Sequence, residues 1–475
     1  MVVKDEEGLF TSSHLPFSLL PYTLPPESFD QARNWMPLFN ILVDRVSRDG
    51  PWLEEVLGDI LARPEFQAGD PFTAELMRIH NVIEAEGGAR QSVCLGINRS
   101  DYMLHAPDED GGVPHLLQVE LNTIASSFGC MSALTARMQR HLLGRFADQS
   151  SALGLAVREH MEANGIKETP AAGLARLVPE NPTLTALPAA IGAAHSHYGK
   201  KEAVVVFVVQ PGEANAVDQR LLEFGLWDDH GVRVMRMSLA QIEERSALQE
   251  DGRLIVDGGV EVSVVYFRAG YTPDDYPTRK EWDARLKVER SMAIKCPSIT
   301  YHLAGTKKVQ QVLAEEGQVE RFLSPEDSAT LRRCFAGLYA LGNSGATEAK
   351  ATALSRPSDF VLKPQREGGG NNLYGAELAT KLSSTADEEL QSFVLMQRIF
   401  PSTQRGILVN RGRTVVGPSI SELGIYGTYL GGGEGVGPLL NEYAGFLVRT
   451  KLDGVDEGGV ASGYAVLSSL VVERE

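Results

Sequence analysis

The chain has 475 residues, of which 43% are hydrophobic and 23% charged. That is length for about three domains and apolar content for a sizeable core, which excludes a disordered tail and a disulfide- or metal-stapled miniprotein. Lys and Arg number 45 against 62 Asp and Glu, a formal charge of −17, which argues against broad binding to nucleic acid or an anionic membrane but not against a small anion held by a few local cations.

The acidic N-terminus, Met1 to Gly8, lacks a signal-peptide core and an Arg-rich transit pattern. It reads as a cytoplasmic start, or as an organellar one whose transit peptide has been removed. Cys94, Cys130, Cys296 and Cys334 show no CxxC spacing and read as reduced thiols. Pro25 and Pro26 open a helix whose apolar face is Phe29, Ala32, Met36, Phe39, Val43 and Val46. A second amphipathic helix follows Pro51, with Trp52, Val56, Leu57, Ile60 and Leu61 as its apolar face. From Leu116 the period becomes two, with Leu117, Val119 and Leu121 on one side and Gln118, Glu120 and Asn122 on the other.

Residues 150–200 read mostly as helix. Strand-like runs at 203–209 and 262–268, with a charged helical stretch between, suggest a compact α/β unit from about 202 to 304. The run Ala203 to Val209 is the longest wholly apolar one, far too short to span a bilayer. A helical region follows over roughly 305–350, then strand candidates at Phe360–Lys363, Phe393–Ile399 and Phe446–Leu452. Residues 343–356, rich in Ser, Ala, Thr and Gly, read as a surface connection. Gly431 to Gly437 reads as a flexible hairpin turn rather than a phosphate loop, because neither a helix pattern nor a Lys follows it. Gly199-Lys200-Lys201 lacks the rest of a P-loop, no GxSxG occurs, and His195 and His197 read as a surface pair rather than a zinc site.

Three clusters carry chemistry. In Phe360 to Tyr374 a strand delivers Lys363, Pro364 ends it, and Gly368, Gly369 and Gly370 allow the backbone to approach a ligand, their N–H groups facing phosphate oxygens. Glu367 before them is a hard-oxygen donor suited to Mg²⁺, which pairs one or two carboxylates with substrate phosphates. Glu120 and Asn122, two apart on a strand, put both oxygens on one face and extend that donor set; a solvated strand face is the alternative. Arg449 and Lys451 share a strand face and suit an anionic substrate, with Asp456 to Gly463 as a covering loop; a solvated edge strand is the alternative. Arg99 and Arg268 lie beside apolar runs, where each alone reads as a structural ion pair.

Seven blocks in order make the chain resemble the eukaryotic-type glutathione synthetases, ligases of the ATP-grasp class, from about Pro16 to Leu467. They are Leu95–Met103, Gln118–Ile124, Val265–Arg268, Leu303–Gln310, Lys363–Tyr374, Ile420–Ile425 and Val448–Lys451. The resemblance implies an α+β, α/β ATP-grasp fold, circularly permuted, with an inserted α/β substrate-binding domain: residues 1–201 and 305–475 as the body, 202–304 as the insert. It implies joining of glycine to γ-glutamylcysteine with ATP through an acyl phosphate, two Mg²⁺ ions, a homodimer, and no nucleic-acid or membrane partner. β-Alanine as the amine, giving homoglutathione, and a binding protein without activity are the alternatives.

By the same resemblance, Glu120, Asn122 and Glu367 would be metal ligands. Lys307, Lys363, Gly368 to Gly370, Asn371 and Asn372 would hold ATP phosphates. Glu120, Tyr374, Met396, Gln397, Arg398, Ile399, Glu422, Lys451 and Glu457 would complete the nucleotide site. Arg99, Ile124, Ala125, Ser126, Ser127, Glu213, Ala214, Asn215, Gln219, Arg268, Tyr271 and Arg449 would bind the dipeptide, and Val460 and Ala461 would close the amine side. Arg99, Lys363 and Arg449 would be catalytic. The chain departs from the family's pattern at Ala125, where Ser is frequent, at Gln397-Arg398, where Glu-Lys is more common, at Gly431–Gly437, and in a shorter N-terminal segment, which weakens the dimer expectation. The small residues Val460 to Gly463 favour glycine over a longer amine, although one methylene separates the two by only about 1–3 kcal/mol.

Overall fold

The computed structural model describes residues 2–4, 10–12, 14–62, 70–106, 113–146, 151–166, 171–341, 346–365, 371–433, 436–456, 458–460 and 463–473. It is a mixed helix and sheet fold with three principal sheets. The largest has seven strands in the order Gln404–Asn410, Phe17–Ser18, Val466–Ser468, Leu440–Leu452, Arg413–Leu430, Leu95–His105 and His115–Asn122. Its centre is the long hairpin of Arg413–Leu430 and Leu440–Leu452, with Gly431 to Gly433 opening the connection between them. That connection is where the sequence places a hairpin turn.

The helix Pro26–Arg48 packs on one face of this sheet and buries every apolar residue that the helical spacing singles out, with Trp35 and Leu42 added. Phe29 meets Phe446 edge-on at 5.4 Å and Trp35 leans on Tyr102 at 5.7 Å. At one end of the opposite face, the helices Gly129–Phe146 and Thr183–Tyr198 cover Leu95, Ile97 and Leu447. A side chain in place of Gly129 would bring its Cβ within 2.6 Å of Leu187, so glycine sets this approach. The rest of that face is left for the site.

The second sheet places Val204–Val208 between Val234–Met237 and Val260–Phe267, all parallel, with Ile294–Cys296 parallel on the far side of Val260–Phe267. Buried on both faces, Val204–Val208 is an unbroken apolar run, while Val260–Phe267 interrupts its apolar residues with Glu261 and Ser263. The third sheet is antiparallel: Leu338–Ala340, Phe393–Gln397, Phe360–Pro364 and Leu373–Tyr374. Phe360 and Leu362 face a core shared with Leu378, Leu382 and Leu395, while Val361 packs with Leu117 and Met396 toward the seven-stranded sheet. No helix of the described residues is long and apolar enough to cross a membrane.

Three expectations are corrected. The alternation from Leu116 to Asn122 is interrupted by a β-bulge: Asp101 pairs with Glu120 but Tyr102 pairs with Gln118, leaving Val119 without a partner residue. Gln118 therefore leaves the face of Glu120 and donates to Ser100 Oγ at 2.7 Å on the other side. The stretch predicted as a surface connection contains the helix Ala346–Ser355, whose Ala353 is buried against the third sheet's core, as the helix propensity of its four alanines favours. His195 is no surface residue; it is buried with Nδ1 at 2.8 Å from Ser263 Oγ, while His197 is exposed.

Phe446→Ala removes the aromatic contact between the first helix and the long hairpin. It is expected to lower unfolding stability by about 3–5 kcal/mol in denaturant titrations. Phe224→Ala, at a position 58% exposed, is expected to change it by less than about 0.5 kcal/mol.

Candidate active site

One face of the seven-stranded sheet carries an unusual density of charge. Strand register puts Asp101 beside Glu120, Arg99 beside Asn122, and Glu422 beside Arg449. Asp101 is wholly buried and binds three of these side chains. Arg99 donates to it through Nε at 2.6 Å and Nη2 at 2.8 Å, Arg449 Nη2 donates at 3.0 Å, and Asn122 Nδ2 at 3.1 Å. Arg449 Nη2 also donates to Glu422 Oε1, and Asn122 Nδ2 lies 3.3 Å from Glu120 Oε1. Sequence reasoning passes over Asp101. The signal was its opposite charge two residues from Arg99 on one strand.

This floor and the third sheet enclose a cavity of about 840 Å³. Lys363, on the cavity side of Phe360–Pro364, donates from Nζ to Val119 O at 3.0 Å, the carbonyl of the bulged residue. Burial tends to raise the pKa of the Glu120 carboxyl, but Lys307, Lys363, Arg449 and Arg99 outweigh it and hold the group down at about 2. Burial pushes Glu422 up instead, with Arg449 opposing and Asp101 and Glu120 adding to the rise. One carboxylate is thereby held as an anion among four cations, and the other is less readily ionised.

Ile124, Ala125, Ser126 and Ser127 line the cavity where the strand His115–Asn122 turns into the helix Gly129–Phe146. Ala125 and Phe128 hold φ of +51° and +69°, a left-handed geometry that costs non-glycine residues about 1–3 kcal/mol each. The turn is held from three sides. Asp218 accepts from Phe128 N at 2.9 Å and Met131 N at 3.1 Å, Arg268 Nη1 donates to Ser126 O at 2.8 Å, and Tyr426 OH donates to Ser127 O at 2.5 Å. Ser126 Oγ and Arg268 Nε are buried with no hydrogen-bond partner among the described residues, so this corner has polar atoms to offer a bound group.

Of the predicted site residues, Arg99, Glu120, Asn122, Ile124 to Ser127, Tyr271, Lys307, Lys363, Asn371, Asn372, Tyr374, Met396 to Ile399, Glu422, Arg449, Lys451 and Val460 line this one cavity. Arg268 stands behind it, 3.5 Å from Asp218. Glu213, Ala214, Asn215 and Gln219 are not in the lining. They precede and begin the helix Ala216–His230, where Gln219 Nε2 donates to Glu213 at 2.7 Å and Arg236 donates to Gln219 at 2.6 Å. Glu367, Gly368, Gly369, Gly370, Glu457 and Ala461 lie outside the described residues. The sequence did not single out a rim of Phe400 to Thr403 and Asp453 to Val455.

No group of three or more His, Cys, Asp or Glu forms a metal cage among the described residues. The donors present are an ionised carboxylate, Glu120, and Asn122, whose Nδ2 is committed to Asp101 and Glu120 and leaves its carbonyl oxygen for a cation. That set suits Mg²⁺ held partly through phosphate oxygens rather than by protein alone.

The family model described as "Eukaryotic glutathione synthase, ATP binding domain" matches residues 1–472. The chloroplastic glutathione synthetase of Solanum lycopersicum is 43% identical over 461 residues, covering 96% of this chain and 77% of that one. The glutathione synthetase of Homo sapiens is 41% identical over 463 residues, covering 96% and 90%. Among solved structures, the apo form of a glutathione synthetase like-effector from Globodera pallida superposes with a TM-score of 0.73 over 99% of this chain and 93% of that one, at 22% identity, and shares the fold. With its family model matched almost end to end, this chain belongs to the eukaryotic glutathione synthase family.

Proposed function

We propose that the chain is a glutathione synthetase of the ATP-grasp class, an ATP-dependent ligase joining glycine to γ-glutamylcysteine to give glutathione, ADP and phosphate. The observation that carries the reading is the convergence of Lys307, Lys363, Arg99, Arg449 and an ionised Glu120 on one cavity. A carboxylate is a poor electrophile until it is phosphorylated. The charge that develops sits on phosphate oxygens, so such a site needs fixed cations and donors rather than a protein nucleophile.

In this reading, ATP lies between Lys307 and Lys363 with its base toward Met396–Ile399, where backbone pairing tolerates the Gln397 and Arg398 side chains. Lys451 and Tyr374 complete that end. Glu120 and Asn122 would hold Mg²⁺, with Glu367 outside the described residues. Bound there, the ion would neutralise phosphate charge and polarise the phosphorus being attacked. Arg449 and Arg99 fix the dipeptide carboxylate in line with the γ-phosphate, and Asp101 fixes both guanidinium groups. The turn at Ile124–Ser127, braced by Arg268, takes the dipeptide backbone, and Glu213, Ala214, Asn215, Gln219 and Tyr271 its γ-glutamyl end. Val460 bounds the amine. The proposal extends to residues 1–201 and 305–475 as a permuted body around an inserted 202–304 domain, to a homodimer and to a cytoplasmic enzyme.

ADP release with γ-glutamylcysteine is expected to require Mg²⁺ and an amine, with glycine preferred to β-alanine and serine, and mass spectrometry should find the glycine tripeptide. No ADP release with any amine, from folded protein that binds ATP, would refute the ligase reading. Chelation should abolish turnover and added Mg²⁺ restore it. Glu120→Gln should raise the Mg²⁺ concentration required by more than about tenfold. Asp101→Asn, which leaves the buried Arg99 without its counter-charge and Arg449 with Glu422 alone, should reduce kcat/KM by about a hundredfold or more in steady-state assays.

A further inference from the structure

Between the third-sheet strand Phe393–Gln397 and the first-sheet strand Gln404–Asn410 the chain crosses from one sheet to the other, and Arg398 to Thr403 line the cavity along that crossing. At its start the crossing is tied on the third-sheet side, where the Arg398 N–H donates to Asp359 O at 2.8 Å. Two residues on, it is tied to the seven-stranded sheet. Ala106 N donates to Phe400 O at 2.9 Å, and the Phe400 N–H donates to Nδ1 of His105, the last residue of Leu95–His105, at 3.1 Å. Pro401, which bridges to His105, has no N–H of its own to add. The His105 ring is buried, 6.2 Å from the Phe400 ring and edge-on to His115 at 5.4 Å. The Phe400 ring in turn lies 5.6 Å from the Arg398 guanidinium, whose other aromatic neighbour is Tyr374 at 5.5 Å. An imidazole that accepts at Nδ1 and is neutral carries its proton on Nε2, and burial with His115 lowers the His105 pKa toward that form.

We infer that His105 is a positioning residue for the nucleotide: its Nδ1 fixes Phe400, and through Phe400 the wall Met396–Ile399 against which the base lies. The inference rests on the ligase reading, which puts the base there. His105 is not in the cavity lining and acts through Phe400 rather than by touching nucleotide.

The reason lies in where the crossing sits. Met396 and Gln397 are paired with Val361 and Phe360, and the Gln397 N–H donates to Gly337 O at 2.8 Å, but the chain enters no further strand until Gln404. Between two sheets it keeps its place by the bonds it makes to each. The Ala106 bond holds the peptide group after the Phe400 Cα, and the His105 bond holds the one before it. Together they fix the Phe400 backbone and aim its ring at Arg398. Without the ring nitrogen the Phe400 N–H is left part-buried and unpaired, and it regains a partner only by turning toward water. The ring then leaves Arg398, and the wall loses its support on the first-sheet side. The loss falls on nucleotide binding rather than on the chemical step, because Arg99 and Arg449 are held separately by Asp101.

Two substitutions in the full chain separate the acceptor from the bulk of the side chain. His105→Leu removes the acceptor. His105→Asn keeps one, because Oδ1 stands as many bonds from the Cα as Nδ1 does. In steady-state assays with Mg²⁺, γ-glutamylcysteine and glycine, His105→Leu should raise KM for ATP about threefold to tenfold, while kcat and the KM values for dipeptide and glycine stay within about twofold. His105→Asn should recover most of that loss. An unchanged KM for ATP in His105→Leu, or an equal rise in both variants, would overturn the positioning role. Native-state hydrogen exchange reads the bond itself: the Phe400 amide should exchange about tenfold or more faster in His105→Leu than in the wild type or His105→Asn. Equal exchange in the wild type and His105→Leu would also overturn it. Should the wild type release no ADP with any amine, the ligase reading falls by itself, and calorimetric Kd values for ATP with Mg²⁺ make the same comparison: equal Kd in the wild type and His105→Leu would overturn the role of His105.

Discussion

The site depends on a single buried carboxylate. Asp101 is a counter-ion for Arg99 and Arg449 and the acceptor for Asn122, so it fixes three groups on three strands of the sheet. Buried guanidinium groups without a partner would be costly, and continuum reasoning says a buried ion pair scarcely stabilises a fold. What it gives here is position. The two arginines are spread along one face and cannot retreat to solvent, because each is bound to a residue of the sheet itself. The same carboxylate adds to the field that raises Glu422, while the four cations around Glu120 hold that group ionised. Lys307 and Lys363, brought from other elements to a face whose own charges nearly balance, are how a chain of formal charge −17 can present local cations to an anion.

The backbone irregularities sit where this charge pattern needs them. A regular ladder from Leu116 to Asn122 would keep Gln118 on the face of Glu120. The bulge at Val119 turns Gln118 away to Ser100 and leaves the Val119 carbonyl for Lys363. The bulge is therefore a join between two sheets: it brings the lysine of the third sheet to the carboxylate of the first. The left-handed residues Ala125 and Phe128 do similar work at the other corner, turning the chain sharply from strand to helix while Asp218 and Arg268 hold it from behind. Strain of about 1–3 kcal/mol per residue persists only where neighbours over-determine it, and here they do so with charged groups.

These particulars separate what the sequence makes legible from what it does not. The first helix could be read residue by residue, because a face of 3.6-residue period reports burial directly. The parallel core announced itself as a wholly apolar run at 203–209 and a strand-like, mostly apolar one at 262–268. Glu120 with Asn122 and Arg449 with Lys451 could be placed on one face each because residues two apart on a strand share it, and all four line the cavity, as does Lys363, read from its strand before the glycines. Gln118 was misread by the same rule, since a bulge changes which face a residue takes and leaves no compositional mark. Ala346–Ser355 was misread because its Ser, Thr and Ala resemble a linker, although its alanines favour helix and one of them packs. Asp101 was missed because an ion pair two residues from an arginine reads as structure until a third partner, Arg449, arrives from 348 positions away.

Glu213 to Gln219 show the remaining limit. Resemblance places them at the dipeptide, yet they bond among themselves and to Arg236 at the start of a helix, outside the cavity lining. Gln219 and Asp218 are neighbours on that helix, and Asp218 is the carboxylate that holds the turn at Phe128 and faces Arg268. A dipeptide seated on the Ile124–Ser127 turn would thus sense this helix through its first turn even without touching it. The coupling runs through one buried aspartate, whose charged form is opposed by its own burial and supported by Arg268 and two backbone N–H groups. The helix Ala216–His230 and Arg268 therefore contribute to the site less as a wall than as the brace that keeps a strained turn in place.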